Sequence, residues 1–143
     1  MFSKACEYAL KSVIYLASVK NLGQKVGLKD ICQAIDSPEA FTGKILQQLV
    51  REGILRSLKG PGGGFDLMIE AKDISIAKIV KIIDGDFIIK NCVLGLHECS
   101  SINPCPVHYK FKPIKDNLID ILNKTTIDEI EKIMILEQSV LKI

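Results

Sequence analysis

Residues Ile54–Met68 read Ile-Leu-Arg-Ser-Leu-Lys-Gly-Pro-Gly-Gly-Gly-Phe-Asp-Leu-Met, and this stretch decides the fold. Two short runs of strand-forming residues flank a glycine-rich insert that makes a turn. The glycines would let the tip approach a phosphate backbone without side-chain obstruction, and Arg56 and Lys59 would supply positive charge. A nucleotide-binding loop does not fit, because neither Gly-Lys-Ser/Thr nor a following helix is present. The pattern predicts a two-stranded hairpin, serving either as a DNA-binding wing or as a plain tight turn.

Two apolar-periodic segments before the hairpin predict a helix-turn-helix. The first runs over about residues 28–35, and the turn falls at Asp36. Ser37 and Pro38 are a helix start signal, a capping hydroxyl followed by proline at the first helical position, and Gly53 ends the second helix. Its predicted outward face carries Glu39, Ala40, Thr42, Gly43, Lys44, Gln47 and Gln48, whereas Phe41, Ile45, Leu46 and Leu49 are predicted to face the core. A helix-turn-helix followed by a hairpin is the layout of a winged helix, which predicts a mainly α fold.

Further helices are predicted on both sides of this unit. Residues 3–19 form an amphipathic helix capped by Ser3, and Ser75 starts a fourth helix that ends at Gly85 and packs on the first. Thr126 opens a last helix, whose broad apolar face (Ile130, Ile133, Met134, Leu136 and Leu141) should be packed. Before it, apolar residues repeat with heptad spacing at Val107, Phe111, Ile114, Leu118 and Ile121, which favours a dimer contact over packing within one chain. Pro113 should kink this helix or delay its start to about Lys112.

The composition of the chain is that of a small globular protein. It has 143 residues, of which 48% are hydrophobic. The sequence contains no run of about 18 apolar residues that could span a membrane, and it shows no signal-peptide pattern. We therefore expect a cytoplasmic protein with no membrane partner. Five cysteines in a reducing compartment favour metal ligation or redox sensing over disulfides. The net charge of +2, with ten Lys/Arg against seven Asp/Glu in residues 1–72, permits nucleic-acid binding.

Three of the cysteines and both histidines fall within the seventeen residues from Cys92 to His108. Glycine, serine and proline make this stretch a loop, on which Cys92, Cys99, Cys105 and His108 could converge on one metal centre. Thiolates select zinc, copper(I) or iron–sulfur clusters. A thiol sensor and inert packing are the alternatives. The other two cysteines lie on apolar helix faces, as core thiols do. The roles divide the chain into a DNA-binding domain (1–85), a sensor loop (86–106) and dimerisation and C-terminal helices (107–143).

Several blocks of the sequence resemble the Rrf2 family of bacterial winged-helix regulators, which has IscR-like, NsrR-like and CymR-like members. The resemblance covers nearly the whole chain and is most specific at Arg56–Phe65, with support from Ala9-Leu10 and Ile45–Gly53. It implies a homodimer that binds a partly palindromic operator. The predicted DNA contacts are Ser37, Glu39, Ala40, Thr42, Gly43, Lys44, Gln47, Arg56, Lys59, Gly60, Gly62 and Gly63. Because Ala40, Thr42 and Gly43 replace bulkier polar residues of IscR-like members, the operator should differ from theirs.

The resemblance also implies a ligand set for an iron–sulfur cluster. Cys92, Cys99 and Cys105 match the cysteines of the cluster-binding members, with six residues in the first gap where IscR-like members have five. The fourth ligand would be His108, as in IscR-like members, or Glu7 of the other subunit, as in NsrR-like members. We prefer a 2Fe–2S cluster, with zinc as the alternative.

These observations predict a transcription regulator whose operator affinity is controlled by a cluster that senses redox state, nitric oxide or cluster supply. A regulator of the same fold that responds to thiol oxidation or zinc is the alternative. A small iron–sulfur redox protein is a third interpretation, but it has no use for a wing or a capped third helix. The sequence offers no catalytic nucleophile–base pair, so we expect no enzyme.

Overall fold

A computed structural model describes residues 1–20, 25–86, 90–97 and 99–141. Its helices are α1 (Lys4–Val19), α2 (Leu28–Ile35), α3 (Glu39–Arg51), α4 (Ile76–Asp84), α5 (His108–Lys124) and α6 (Ile127–Glu137), and its strands are β1 (Leu55–Leu58) and β2 (Gly64–Leu67). This confirms the predicted mainly α winged-helix layout. Residues 87–89 and 98 of the predicted sensor segment lie outside the described residues. Among the described residues, no helix has the length and apolar character needed to cross a bilayer.

The core forms where α1 crosses α2, α3 and α4. The apolar residues along the inward side of α1 are buried, including Cys6 and Ala9, which are 0% exposed. Ser3 caps α1 by accepting a hydrogen bond from the Cys6 N–H at 3.1 Å. The Ser3 N–H also donates to the Asp84 carboxylate at the end of α4, at 3.0 Å. The predicted packing of α4 on α1 is therefore confirmed.

The hairpin is antiparallel, with Arg56 opposite Asp66 and Leu58 opposite Gly64. Val26, just before α2, exchanges backbone hydrogen bonds with Phe65 at 3.0 and 2.8 Å, which ties the wing to the helix-turn-helix. A Cβ at Gly64 would lie 2.5 Å from the Val26 carbonyl oxygen. Glycine is therefore required at this position both for its φ of +137° and for the close approach of the two backbones.

α5 begins at His108 and continues through Pro113, so the predicted alternative of a late start near Lys112 is wrong. Proline removes one N–H donor, that for the carbonyl four residues earlier at Tyr109. Tyr109 is 73% exposed, which leaves water access to this part of the helix. The helix therefore accommodates the proline on its solvent side.

α6 begins as predicted, with the Thr126 hydroxyl accepting a hydrogen bond from the Glu129 N–H at 3.2 Å. Ile127 is fully buried in the same core as Ile74, and the Ile127 N–H donates to the Ile74 carbonyl at 2.9 Å. The start of the last helix is thus anchored to the N-terminal unit. The expectation of a fully packed apolar face is wrong at Leu136, which is 82% exposed, and at Ile133, which is 41% exposed. Only the side of α6 that faces α1 and the core is covered.

Candidate DNA interface and cysteine cleft

The solvent-facing side of α3 carries Ala40, Lys44, Gln47 and Arg51, all exposed. Three of these were predicted to face outward. Arg51 was missed, although it lies one helical turn beyond Gln47 and the helical period alone could have identified it. It adds a second cation to this face. The face therefore combines two positive side chains with an amide that can bond a base edge.

Thr42 is not on this face, and the prediction that it points outward is wrong. Its side chain is 0% exposed, and its hydroxyl donates to the Ser37 hydroxyl at 2.7 Å. The Ser37 side chain consequently does not cap α3, and Pro38 stands at the capping position instead of the first helical position. Thr42 therefore cannot reach a base, because it fastens the turn between α2 and α3.

Three other residues of α3 also differ from prediction. Gly43 is half-buried, and a Cβ there would lie 3.3 Å from a Leu28 methyl group, so it serves the close packing of α2 on α3. Gln48 turns away from the outward face and donates to the Ile82 carbonyl at 2.9 Å. Phe41, predicted to face the core, is 43% exposed. The spacing of apolar residues along α3 does not distinguish the edge of a helix face from its centre, which explains these errors.

The base of the wing holds a three-residue ion cluster. Arg56 donates two hydrogen bonds to Asp66, at 3.2 and 2.7 Å, and the Lys25 ammonium lies 3.1 Å from the same carboxylate. The hydrogen bond from Arg56 holds the pKa of the Asp66 carboxyl below its usual value. The charge of Arg56, predicted to face phosphate, is therefore already paired within the wing.

The tip of the wing carries Lys59, the second of the two predicted cations. Lys59, Gly60 and Gly62 are exposed, and the two glycines have positive φ values of +88° and +72°. Gly63 is half-buried, and a Cβ there would lie 2.2 Å from the Leu58 carbonyl oxygen. Within the described part of the chain, no carboxylate lies within ion-pair distance of Lys59. Its charge remains available to a phosphate group.

The predicted metal ligands all line one cleft beside α5. The cleft has a volume of about 580 Å³, and Cys92, Cys99, Cys105 and His108 contribute to its wall. The imidazole of His108 is 2% exposed, with Nδ1 3.4 Å from Cys99 Sγ and Nε2 3.3 Å from Ser101 Oγ. Cys92 is 7% exposed, while Cys99 and Cys105 are half-buried.

Cys92 lies in an environment that favours its thiolate. A backbone hydrogen bond from Leu94 lowers the pKa of the Cys92 thiol, and a hydrogen bond with Cys105 and the positive charge of Lys115 act in the same direction. The Lys115 ammonium also donates to the Asn91 carbonyl at 2.9 Å, which fixes the backbone next to Cys92 against α5. A lowered thiol pKa suits both metal ligation and thiol oxidation.

Two of the four donors are in direct contact, with Cys99 Sγ 3.4 Å from His108 Nδ1. Across the described ranges, no three Cys, His, Asp or Glu side chains are arranged to hold one metal ion. The donor chemistry nevertheless fits an iron–sulfur cluster, since three thiols and an imidazole line one cleft. The candidate site is therefore a shared cleft rather than a formed coordination sphere.

The other residues considered as ligands or core thiols lie on α1 and α2. The Glu7 carboxylate is 2.6 Å from the Lys4 ammonium of the same helix. Cys6 and Cys32 are buried as predicted, at 0% and 4% exposure. Burial raises the pKa of the Cys6 thiol to about 12. A thiol held neutral in this way is a poor metal ligand.

The heptad residues of α5 are largely uncovered in the single chain. Phe111, Ile114 and Ile121 are 44%, 65% and 49% exposed, whereas Val107 and Leu118 are half-buried. The buried side of the helix instead carries His108 and Leu122. Three large apolar side chains exposed along one side of a helix favour an interface with another molecule.

Comparisons with known proteins agree with the winged-helix fold. The family described as Rrf2, iron-dependent transcriptional regulator, matches residues 2–132. An HTH-type transcriptional regulator of Aquifex aeolicus is 33% identical over 132 residues, covering 91% of this chain and 90% of that protein. The regulator IscR of Pectobacterium atrosepticum is 26% identical, covering 86% and 74%. Among solved structures, CymR, the global cysteine regulator of B. subtilis, superposes with a TM-score of 0.78 at 20% identity over 92% and 96% of the two chains. IscR of T. potens gives 0.76 at 18% identity over 98% and 92%.

Proposed function

This chain belongs to the Rrf2 family of transcriptional regulators, and from that membership we propose that it is a homodimeric repressor or activator whose operator affinity is set by an iron–sulfur cluster. The family consists of DNA-binding regulators and not of enzymes, in agreement with the sequence-based expectation. As a regulator of transcription it would act on chromosomal DNA in the cytoplasm. The observation that carries the proposal is the single cleft lined by Cys92, Cys99, Cys105 and His108.

Operator binding would use α3 and the wing of each subunit. Lys44, Gln47 and Arg51 are exposed along one side of α3, where they could enter a major groove. Lys59 at the wing tip could contact a phosphate group, and the exposed Gly60 and Gly62 leave room for the backbone to approach. Two copies related by a two-fold axis would read two half-sites.

The cluster would be held by the three cysteines and His108, and it would supply reversible one-electron chemistry when bound. Replacement of one thiolate by histidine raises the reduction potential relative to a site with four cysteines. Each of the four residues lines the same cleft, which supports a common ligand. Because Cys105 lies just before α5 and His108 is its first residue, a ligand held there would also fix the start of this helix.

Control of DNA binding would follow from the position of the cleft. α5 carries His108, part of the cleft wall and the exposed apolar residues, so a change at the ligands would alter how two subunits meet. Binding in the cleft changes the DNA affinity only as far as it favours one arrangement of the two wings over another. The residues of this chain that transmit the effect would be Lys112, Lys115 and Leu118, which line the cleft from α5.

A second candidate is a cluster-free regulator that senses thiol oxidation. It is favoured by the lowered pKa of the Cys92 thiol, to which the neighbouring Cys105 contributes, and by the position of both thiols in one cleft. Zinc held by the same donors is the remaining alternative for this cleft.

Purification under strict anaerobic conditions, with iron, sulfide and zinc analysis, separates these candidates. We expect a coloured protein with iron and sulfide in equal amounts, and loss of both in Cys99→Ser but not in Cys32→Ser. Operator affinity measured before and after removal of the cluster should then differ. Colourless protein with stoichiometric zinc, or with no metal and an oxidant-dependent DNA affinity, would replace the cluster by one of the alternatives.

A further inference from the structure

Phe41 is an aromatic side chain that the fold leaves uncovered on its DNA-facing helix. It is 43% exposed, although the next residue, Thr42, and Ile45 one turn later are buried at 0% and 4%. Leaving a large apolar ring in water forgoes the stabilisation that burial would give. The orientation of α3 is fixed by its buried residues, so the exposure of Phe41 is a property of the fold.

The ring of Phe41 is held in place by Tyr8 of α1. The two ring centroids are 6.0 Å apart and the planes meet at 79°, an edge-to-face arrangement. Tyr8 is itself half-buried and packs against the hydrophobic core. Phe41 is thus fixed on one side by a well-anchored partner while its other side stays open to solvent.

The position of Phe41 along α3 matches the part of a recognition helix that reads bases. It is the third residue of the helix, and the N-terminal residues of such helices contact base edges in the major groove. Ala40 beside it is exposed, and Lys44 lies one turn further on the solvent-facing side. A cation there can hold a phosphate group while the first turn enters the groove.

The second and third residues of α3, Ala40 and Phe41, are apolar, whereas Glu39 before them carries an exposed carboxylate. Phe41 and Ala40 have no side-chain donor or acceptor, and Thr42, which does, is buried and bonded to Ser37. In the major groove, the thymine C5 methyl is the base feature that an apolar side chain recognises. At these two positions the side chains cannot form hydrogen bonds with a base, but they can contact a methyl group.

We propose that Phe41 is a specificity-determining residue that selects an A·T pair in each operator half-site by packing on a thymine methyl group, with Tyr8 as its positioning residue. This inference rests on the proposed DNA-binding function and is independent of the cluster.

The test begins with duplexes that the full-length protein selects from a random DNA library. Each thymine of the selected sequence is replaced singly by deoxyuridine, which removes only the methyl group, and affinity is measured by fluorescence anisotropy. We expect affinity to fall roughly fourfold at one position of each half-site, the change that corresponds to burying one methylene-sized group. Replacement at the other thymines should have little effect.

The same series is then measured with three variants. Phe41→Ala should bind thymine and deoxyuridine equally at the sensitive position, and Tyr8→Ala should reduce the discrimination without abolishing it. Met68→Ala is the matched control, because Met68 is an apolar side chain of 56% exposure at the base of the wing. It should discriminate as the parent does.

If the parent protein binds the thymine and deoxyuridine duplexes with equal affinity at every position, the inference is wrong. This comparison uses only the parent protein, so it does not depend on the folding of a variant. Equal discrimination by folded Phe41→Ala would overturn it as well. A change in oligomeric state of Phe41→Ala with unaltered discrimination would overturn it too, and would assign the ring to a subunit contact. If the parent protein selects no DNA sequence in any of its metal states, the proposed DNA-binding function is wrong, and the inference is wrong with it.

Discussion

Arg56 and Asp66 face each other across the wing and form a doubly hydrogen-bonded ion pair, to which Lys25 adds a second cation. The sequence predicted that Arg56 would face DNA. In the folded chain, Asp66 competes with phosphate for this side chain. The wing therefore carries less available positive charge than its composition suggests.

Replacing Asp66 by Asn should release both cations. We expect tighter binding to random-sequence DNA and a salt dependence steeper by up to about two units per subunit, since each phosphate neutralised adds about 0.9 to the slope. Anisotropy titrations at several salt concentrations measure both quantities. Asp73→Asn, which removes an equally negative but distant exposed residue, controls for net charge. Parent-like affinity and slope would mean that Arg56 and Lys25 lie out of reach of DNA.

Lys59→Ala should have the opposite effect. The exposed tip lysine has no carboxylate within ion-pair distance among the described residues, so its replacement removes a positive charge from the wing tip without exposing another charge. We expect weaker binding to all sequences and a salt dependence shallower by about one unit for each phosphate that the protein no longer neutralises. Sequence preference should be unchanged. If preference changes while the slope does not, Lys59 contacts a base.

Ile121→Glu should prevent dimer formation. Ile121 is 49% exposed in the single chain and lies outside the cysteine cleft, so a glutamate there tests the apolar stripe without disturbing the predicted ligands. Burying an unpaired charge in an interface costs several kcal/mol. Light scattering should report monomers, with the helical circular dichroism retained. Asn123→Glu, at an exposed position with a different orientation around α5, should remain dimeric; a dimeric Ile121→Glu would place the interface elsewhere.

His108→Ala should lose or alter the cluster, and Glu7→Ala should keep it. His108 is buried in the cleft and 3.4 Å from Cys99, whereas Glu7 pairs with Lys4 and would have to arrive from another subunit. Anaerobic reconstitution followed by absorption spectra and cluster lifetime compares the two variants with the parent. The reverse result, an unaltered cluster in His108→Ala and none in Glu7→Ala, would assign the fourth ligand to the acidic residue of the other subunit.

Local patterns predicted most of the fold because the relevant physics is local. The glycines at 60 and 62–64, the capping residues Ser3, Ser75 and Thr126, and the helical spacing of the core residues specify their elements with little help from distant contacts. Within α3, however, the pattern assigned Thr42 to solvent and Phe41 to the core. The true orientation depends on how α1 and α2 pack against the helix, which spacing along one helix does not encode.

The sequence alone determined the winged-helix layout, the grouping of three cysteines with His108 within seventeen residues, and the apolar stripe of α5. Tertiary structure decided which side chains remain available. It paired Arg56 with Asp66 across two strands, turned Gln48 inward, and gathered the four predicted ligands along one cleft. These outcomes depend on contacts between residues far apart in the chain, so they arise only when the elements pack together.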